Sequence, residues 1–578
     1  MKPVRLPASA TLALPRWALF ALGMLYILPG LIGREPWKND DAASFGIMWT
    51  MAQGTWQDWL WPNIAGLSIP DEGPLAFWFG ALCIKLFGWL LGDVLAARVA
   101  TVCVFLLGTL SLWYVTFALG RRQDAQPLKL AFGGQPDPDS FGRTLADAAV
   151  LIYLGCLGLM VHSHMTTSEP LQVSLLALTL YRSVRYMELP SLRNAALIGM
   201  ALGLMALVRG WIAPAFFTLA LLLCGAFLEK PLGRTVRDLA FAVVIAALLI
   251  TPWVIVSAVA QPYGASPLPG WMQWNLAQIA PVSGTSVSYF FRVGVWFFWP
   301  AWPFASWAIY AWRRQKRVLH IVVPVTFVSM AALLALFHPS PEQGQLLLLL
   351  PPLAIMAAFG LLTMKRGAIN AIDWFSVMVL TLCAATLWLF WNAKLNGWPA
   401  KASRNALKLV PGFVPQFDTM AVLVAVLATA GWFVLVHWRL SRRPSVLWRA
   451  VVLSSGGVIL VWILLMTLFL PDMNYSKSYA TVAHQAAANL PKDTDCIETN
   501  AGPAQRASFA YFGHLPFVGV KGGRCNILLL QDNLRIPDEQ EIVPAYRAPH
   551  WTLLWEGRRI SDRQERFRLY RRGDAATP

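Results

Sequence analysis

Charge is scarce in this chain. Only 13% of its 578 residues are Asp, Glu, Lys or Arg, about half of the roughly 25% typical of a soluble domain. A soluble globular protein of this size is therefore excluded. Also missing is a Gly-rich fingerprint opening a soluble βαβ unit, the usual means of holding a nucleotide. No internal repeat or low-complexity segment is found. Cysteine is sparse, with seven in all. Five of these (Cys83, Cys103, Cys156, Cys224, Cys383) fall in apolar runs, where Cys acts as a small hydrophobe.

What fills the sequence is hydrophobic, at 57%. Apolar runs recur from Trp17 to Leu470, many near the roughly 20 residues that span a hydrocarbon core. The 28 Trp suit membrane–water interfaces. The first run, Trp17 to Ile32, follows a basic start (Lys2, Arg5, Arg16) and reads as an uncleaved signal anchor. Twelve more follow at 95–120, 144–161, 170–181, 194–208, 211–228, 238–257, 291–311, 319–337, 345–364, 372–391, 418–437 and 450–470. The shorter links on the side of the N-terminus carry 20 Lys and Arg, and those on the other side carry 5. This is the positive-inside pattern, and it explains the net charge of +17 without nucleic acid. The N-terminus is thus expected in the cytoplasm of a bacterial inner membrane. Thirteen spans (residues 1–470) place the tail, 471–578, in the periplasm.

The tail is polar and mixed. It has short β-like runs at Ile527 to Leu530 and Trp551 to Trp555, with a helix expected at Ala504 to Phe512, so it reads as a small α/β domain. Its two cysteines, Cys496 and Cys525, are disulfide candidates in an oxidising compartment. A zinc site needs more ligands than the tail offers.

Chemistry is expected where acids meet the membrane surface, in the first periplasmic loop (34–94). It opens Lys38-Asn39-Asp40-Asp41, continues in an amphipathic run and reaches Asp71-Glu72-Gly73-Pro74. Phe45, Met48, Trp49 and Ala52 share one helical face, suited to lying flat in the interface. A second apolar run, Leu75 to Leu91, also reads as juxtamembrane. Carboxylates held there can take a proton, orient an acceptor or bind a metal. Equally, Asp40 or Asp41 can simply cap the helix, and Asp71 can be a turn residue. Charges at membrane edges are costly and tend to be functional, which favours Glu169 and Arg209, although Arg209 can also snorkel to the interface. His162, His164 and His338 fall at the same edge, as interfacial polar residues or metal ligands.

The order Asp40-Asp41, amphipathic helix, Gly54-x-Trp56, Pro62-x-x-Ala65-Gly66, Glu72-Gly73-Pro74-Leu75, Trp78, Phe87-Gly88 resembles the first loop of the ArnT-like/protein O-mannosyltransferase group. These are GT-C glycosyltransferases of family 39 type. The resemblance implies a polytopic α-helical GT-C architecture of about 13 spans, with juxtamembrane helices and a periplasmic C-terminal domain. It also implies an enzyme that moves sugar with inversion from a polyprenyl-phosphate donor to lipid A, an envelope glycan or protein. Asp40 matches the catalytic Asp, with Asp41 in place of the usual Glu. The spacing to Gly54 is one residue short, so a register with Asp41 as the catalytic Asp stays open.

Glu72 matches the Glu of a Glu-Lys-Pro stretch, and Glu169 the acid of the second periplasmic loop. Arg209-Gly210 resembles a Lys-Gly pair, and Pro300-Ala301-Trp302-Pro303 a Pro-Trp element. Two departures touch donor binding. Gly73 replaces the Lys, and Glu342-Gln343-Gly344-Gln345 with five Leu replaces a Lys and Tyr before Pro351. Arg209, Lys38 or Arg292 is then left to meet the lipid phosphate, Arg being well shaped for it. Glu72 and His164 are the candidates for a divalent metal. A transporter of a lipid-linked sugar would more typically show inverted repeats, which are absent, and a non-catalytic assembly protein would tolerate loss of Asp40 and Glu72.

Overall fold

The computed structural model describes residues 6–11, 14–128, 134–260, 266–315, 317–441, 447–518, 525–533, 551–562 and 564–572. Lys2 and Arg5 of the basic start lie outside them. Each of the thirteen apolar runs is helical. Among the described residues, seven single helices are long and apolar enough to cross a membrane, or eight if a bent pair counts as one span. The remaining runs are shorter, more polar or broken. The run 144–161 breaks into Pro138–Leu154 and Leu157–His162. The run 291–311 lies in Gly284–Phe297 and Ala301–Ala311, interrupted at Pro300, whose missing N–H cannot continue a helix.

The run 170–181 was expected to stop early. The helix instead extends over Glu169–Glu188, burying Ser183, Val184, Tyr186 and Met187 on one face. Its last turns are helical but too polar to read as a span, which is why the apolar signal ends first. The most buried long element is the 343–361 segment, wrapped on all sides by other helices.

The first loop folds into two helices, Asp40–Gln53 and Leu75–Leu91, joined by the short helix Trp56–Leu60 and a two-stranded ribbon pairing Asn63 with Ser68. The helix Asp40–Gln53 does not lie open to lipid on its apolar face. Phe45, Met48, Met51 and Ala52 are buried, with Met48 pressed against Gly80 of Leu75–Leu91. Its other side meets the C-terminal helix Pro503–Gly513. Phe45 and Tyr511 pack edge to face at 4.9 Å, and Gly46 admits Ala507 closely. The interfacial face predicted from spacing is real, but protein covers it. The outer helix, Leu75–Leu91, exposes Leu86, Trp89 and Leu90.

At the membrane edge the last apolar helix, Val452–Leu468, bends by 70° into Leu470–Lys477. The chain then forms a four-stranded sheet. Strand Ile497–Thr499 runs parallel to Ile527–Asn533. The latter pairs antiparallel with Glu565–Arg572, which in turn pairs with Trp551–Gly557. Ile527, Leu529, Phe567 and Leu569 form its buried face beneath Phe509 and Ala483 of the two helices Pro503–Gly513 and Ala480–Ala488. Cys496 and Cys525 are joined by a disulfide, their Cα atoms 5.5 Å apart.

A carboxylate and arginine cluster as candidate active site

The neighbouring residues Asp40 and Asp41 open the same helix and have different environments. Asp41 is buried and bonded on every side. It accepts from Arg34 at 3.1 Å, the backbone N–H of Thr166 at 2.8 Å, the Thr166 hydroxyl at 2.9 Å and the Trp37 N–H at 3.3 Å. Arg98 is 4.0 Å away. Burial alone would raise its carboxyl, but Arg34, Arg98 and the Thr166 and Trp37 N–H groups hold it below the ordinary range. Arg34 and Arg98 are themselves buried, and Arg98 donates to the carbonyls of Leu31, Arg34 and Glu35. Asp41 is therefore the anion at the centre of a knot that ties the start of the first loop to the membrane helices and to the second loop.

Asp40 makes none of these bonds and lies toward solvent. Its carboxyl is raised, first by the protein that surrounds it and then by Glu169 and Glu342, with Arg209 opposing. It thus feels the second acidic group across the cleft.

That group is organised by Arg209, the last residue of Leu192–Arg209. Its Nη1 donates to Glu169 at 2.7 Å, and its Nε lies 3.4 Å from Glu72. Two backbone features bring these together. The Gly73 N–H donates to the Val208 carbonyl at 2.9 Å, so the residue after Glu72 is tied to the residue before Arg209. A side chain at Gly73 would run into the Leu207 carbonyl, so glycine is required where the family pattern has Lys. Gly210 then turns the chain at φ +78°, and Asn275 accepts from the Trp211 N–H at 3.0 Å, fixing the helix end. Glu169 stands in the first turn of its helix, where the positive end of the helix dipole favours an anion.

Burial raises the Glu72 carboxyl well above the ordinary range; Arg209 opposes this, and Glu169 and Asp40 add to it. Burial likewise raises Asp71, again against Arg209. From the far side comes the 342–347 segment. A Cβ on Gly344 would sit 3.1 Å from Glu169 and 3.5 Å from Arg209, so this stretch also closes down on the pair.

The structure thus gathers Asp40, Glu72, Glu169 and Arg209 and separates the other candidates. Lys38 faces a different cavity, between the first loop and the C-terminal sheet. Arg292 is exposed and, with Glu342, acts on Tyr289. His164 is buried with both ring nitrogens engaged, Nδ1 with Met160 O at 2.6 Å and Nε2 with Tyr26 O at 2.9 Å, so neither is free to ligate a metal. Among the described residues, no group of three or more His, Cys, Asp or Glu is arranged to hold a metal ion. Sequence reasoning missed Glu342, Gly344 and Asn275 as parts of the site. The first two were visible only as a departure from the family pattern, and Asn275 gave no signal.

Many apolar helices, two loop helices beneath a small sheet domain and a charged cluster between them describe a membrane protein of the GT-C architecture. The solved structures agree. ArnT from Cupriavidus metallidurans bound to undecaprenyl phosphate superposes with a TM-score of 0.67 at 15% identity, covering 96% of this chain and 97% of that one. The same enzyme in the apo state gives 0.65 at 17% identity, covering 96% of each. No protein-family model matches the sequence, and no curated protein matches it by sequence. The chain has the ArnT-like GT-C fold.

Proposed function

We propose that this protein is an inner-membrane glycosyltransferase that takes a sugar from a polyprenyl-phosphate carrier and transfers it to a periplasmic acceptor. The observation that carries this reading is the contrast at the head of one helix. Asp41 is fully consumed by its structural bonds, whereas Asp40 is left unbonded within electrostatic reach of Arg209. The bound lipid phosphate of the fold's solved relative supports the donor class.

In this mechanism Arg209 meets the phosphate, which is the leaving group, and stabilises the charge that develops on it. One of its five N–H donors is taken by Glu169 and its Nε pairs with Glu72 at 3.4 Å, so the guanidinium is aimed while donors remain for the ligand. Asp40 orients the acceptor hydroxyl and takes its proton as oxygen attacks the anomeric carbon from the side opposite the phosphate, inverting it. The raised carboxyl of Asp40 makes it a stronger base than an ordinary Asp. Glu72 and Glu169 position Arg209 and shape the acceptor side. With the N-terminus inside, the sheet domain and cluster face the periplasm. Lipid A, an envelope glycan and protein are the acceptor classes to test.

The experiment is a turnover assay with the full-length protein in lipid, a panel of polyprenyl-phosphate sugars and a membrane extract as acceptor source. The expected outcome is consumption of one donor, abolished by Asp40→Asn, and a donor KM raised at least tenfold by Arg209→Gln. Wild-type protein that consumes no donor, or Asp40→Asn that turns over normally, would overturn the reading.

A further inference from the structure

A cavity of about 470 Å³ lies between the first loop and the C-terminal sheet, with Lys38 and Asn39 on one wall and Asp532, Arg559 and Glu565 among the residues on the other. The mechanism above does not use it. Its floor is a closed polar network. Glu565 accepts from the Tyr479 hydroxyl at 3.1 Å, Gln505 at 2.8 Å and Gln531 at 2.9 Å. Its other oxygen accepts from Arg559, which also holds Asp562 at 2.9 Å. The floor charges are therefore matched and rigid. The rim differs: Lys38, Asn39 and Gln564 line the cavity, and among the described residues their side chains make no hydrogen bond.

The joint beneath the cavity is firmly tied. The Lys38 N–H donates to Lys477 O at 2.7 Å. Arg559 and Ser561 both donate to Ser476 O at 2.9 Å. Asn39 is held at φ +69°, a conformation that is costly for a non-glycine residue and recurs at functional sites. Its successor in the chain is Asp40, so a group seated against Asn39 lies one residue along the chain from the proposed base.

We propose that this cavity is the acceptor subsite and that it takes a hydroxyl-rich carbohydrate, an inference that rests on the glycosyltransferase reading. Its chemistry selects that class. Among the described residues that line it, Tyr479 supplies the only ring and none is aliphatic, so an acyl chain or an apolar peptide side chain finds no partner in them. Amides such as Asn39 and Gln564 both donate and accept, matching sugar hydroxyls, which do the same. Lys38, whose charge also acts on Asp562 across the cavity, makes no salt bridge among the described residues and fits an anionic substituent on the sugar.

The test is saturation-transfer NMR on the full-length protein in lipid nanodiscs, with N,N′-diacetylchitobiose and glucosamine 6-phosphate as probes. Wild type is expected to transfer magnetisation to the ring protons of both. The double variant Asn39→Gly/Gln564→Ala should bind both about 5- to 10-fold more weakly, from the loss of rim hydrogen bonds. Glycine tolerates the backbone at position 39, so the fold is not at risk. Lys38→Ala should weaken the phosphorylated sugar more than the neutral one. Absence of signal from both probes in wild type, or unchanged binding in the double variant, overturns the subsite. The glycosyltransferase reading is judged separately by turnover in Asp40→Asn, since probe binding needs no chemistry.

Discussion

Asn at position 40 and Asn at position 41 are the same chemical change one residue apart, and they should fail in different ways. Asp41 accepts four hydrogen bonds and faces two buried guanidinium groups. In Asp41→Asn the amide can still accept from Thr166, but its NH2 then points at the Arg34 and Trp37 donors. Two buried cations lose the only close anion they have among the described residues. Breaking a buried pair in this way costs about 3–5 kcal/mol, so thermal unfolding in detergent should move down clearly and yield should fall. Asp40 makes no such bonds, so Asp40→Asn should unfold within about 0.5 kcal/mol of wild type, as substitutions away from structural features do. Its turnover should fall at least about 100-fold, the lower range for losing a general base. The assay pairs unfolding curves with donor consumption for both variants and for wild type. A stable Asp41→Asn protein without activity, beside an active Asp40→Asn, would refute the assignment and shift the register of the catalytic residue by one.

Gly73→Ala should abolish turnover by pushing the 71–74 turn off the Leu207 carbonyl and Glu72 off Arg209; Gly73→Lys, although it restores the family residue, should do no better. An active Gly73→Lys enzyme would show that the close approach is dispensable. Removing the disulfide with Cys496→Ser and Cys525→Ser, which frees a 29-residue separation, should cost the sheet domain about 3–4 kcal/mol, visible as faster proteolysis of the tail under oxidising conditions. Because the Asp40 carboxyl is raised above 3.8, a base at that position is lost as pH falls through a value above 3.8, and kcat should show an acid limb there that an exposed Asp would not. Glu72, also raised above its ordinary value, is protonated more readily than a free Glu. An anionic phosphate beside it favours that protonated form, so donor affinity should rise as pH falls through the Glu72 pKa. Glu72→Gln should hold affinity high and flat across the same range.

The helices were legible because a hydrocarbon core imposes an apolar period that each run displays on its own. The exception shows the limit: the end of Glu169–Glu188 is helical but polar, and apolar length alone cannot see it. In the tail, the strands at Ile527 and Trp551 and the helix near Ala504 showed themselves by local pattern, whereas the order of the sheet depends on pairings across many residues. In the site, Glu72, Glu169 and Arg209 could be named from charge at a membrane edge. What no local pattern carries is which acid is already satisfied. Asp40 and Asp41 are identical in type and adjacent, and only the arrival of Arg34, Arg98 and Thr166 distinguishes them. The position of Lys38 is hidden for the same reason: its backbone is bonded to Lys477 far away in sequence, and its side chain lines the cavity by the C-terminal sheet.

The charge balance of the cluster explains the two departures from the family pattern together. Around Arg209 stand Glu72, Glu169, Asp40 and Glu342, more anions than one guanidinium can neutralise. A phosphate could not join such a group unless some of that charge were removed. The protein does so by burial, which raises Glu72 so that it can hold a proton beside the incoming ligand. A Lys at position 73 would offer positive charge instead, but the backbone contact there leaves no room for a side chain. In the stretch that stands where the family has a Lys and a Tyr, Glu342 adds one more carboxylate, and Gly344 lets the segment close on the Glu169–Arg209 pair. At a half-closed site of this kind the attraction between Arg209 and a phosphate would be screened less than at an open surface, which is how a single guanidinium would serve the proposed donor site without the lysines of the family pattern.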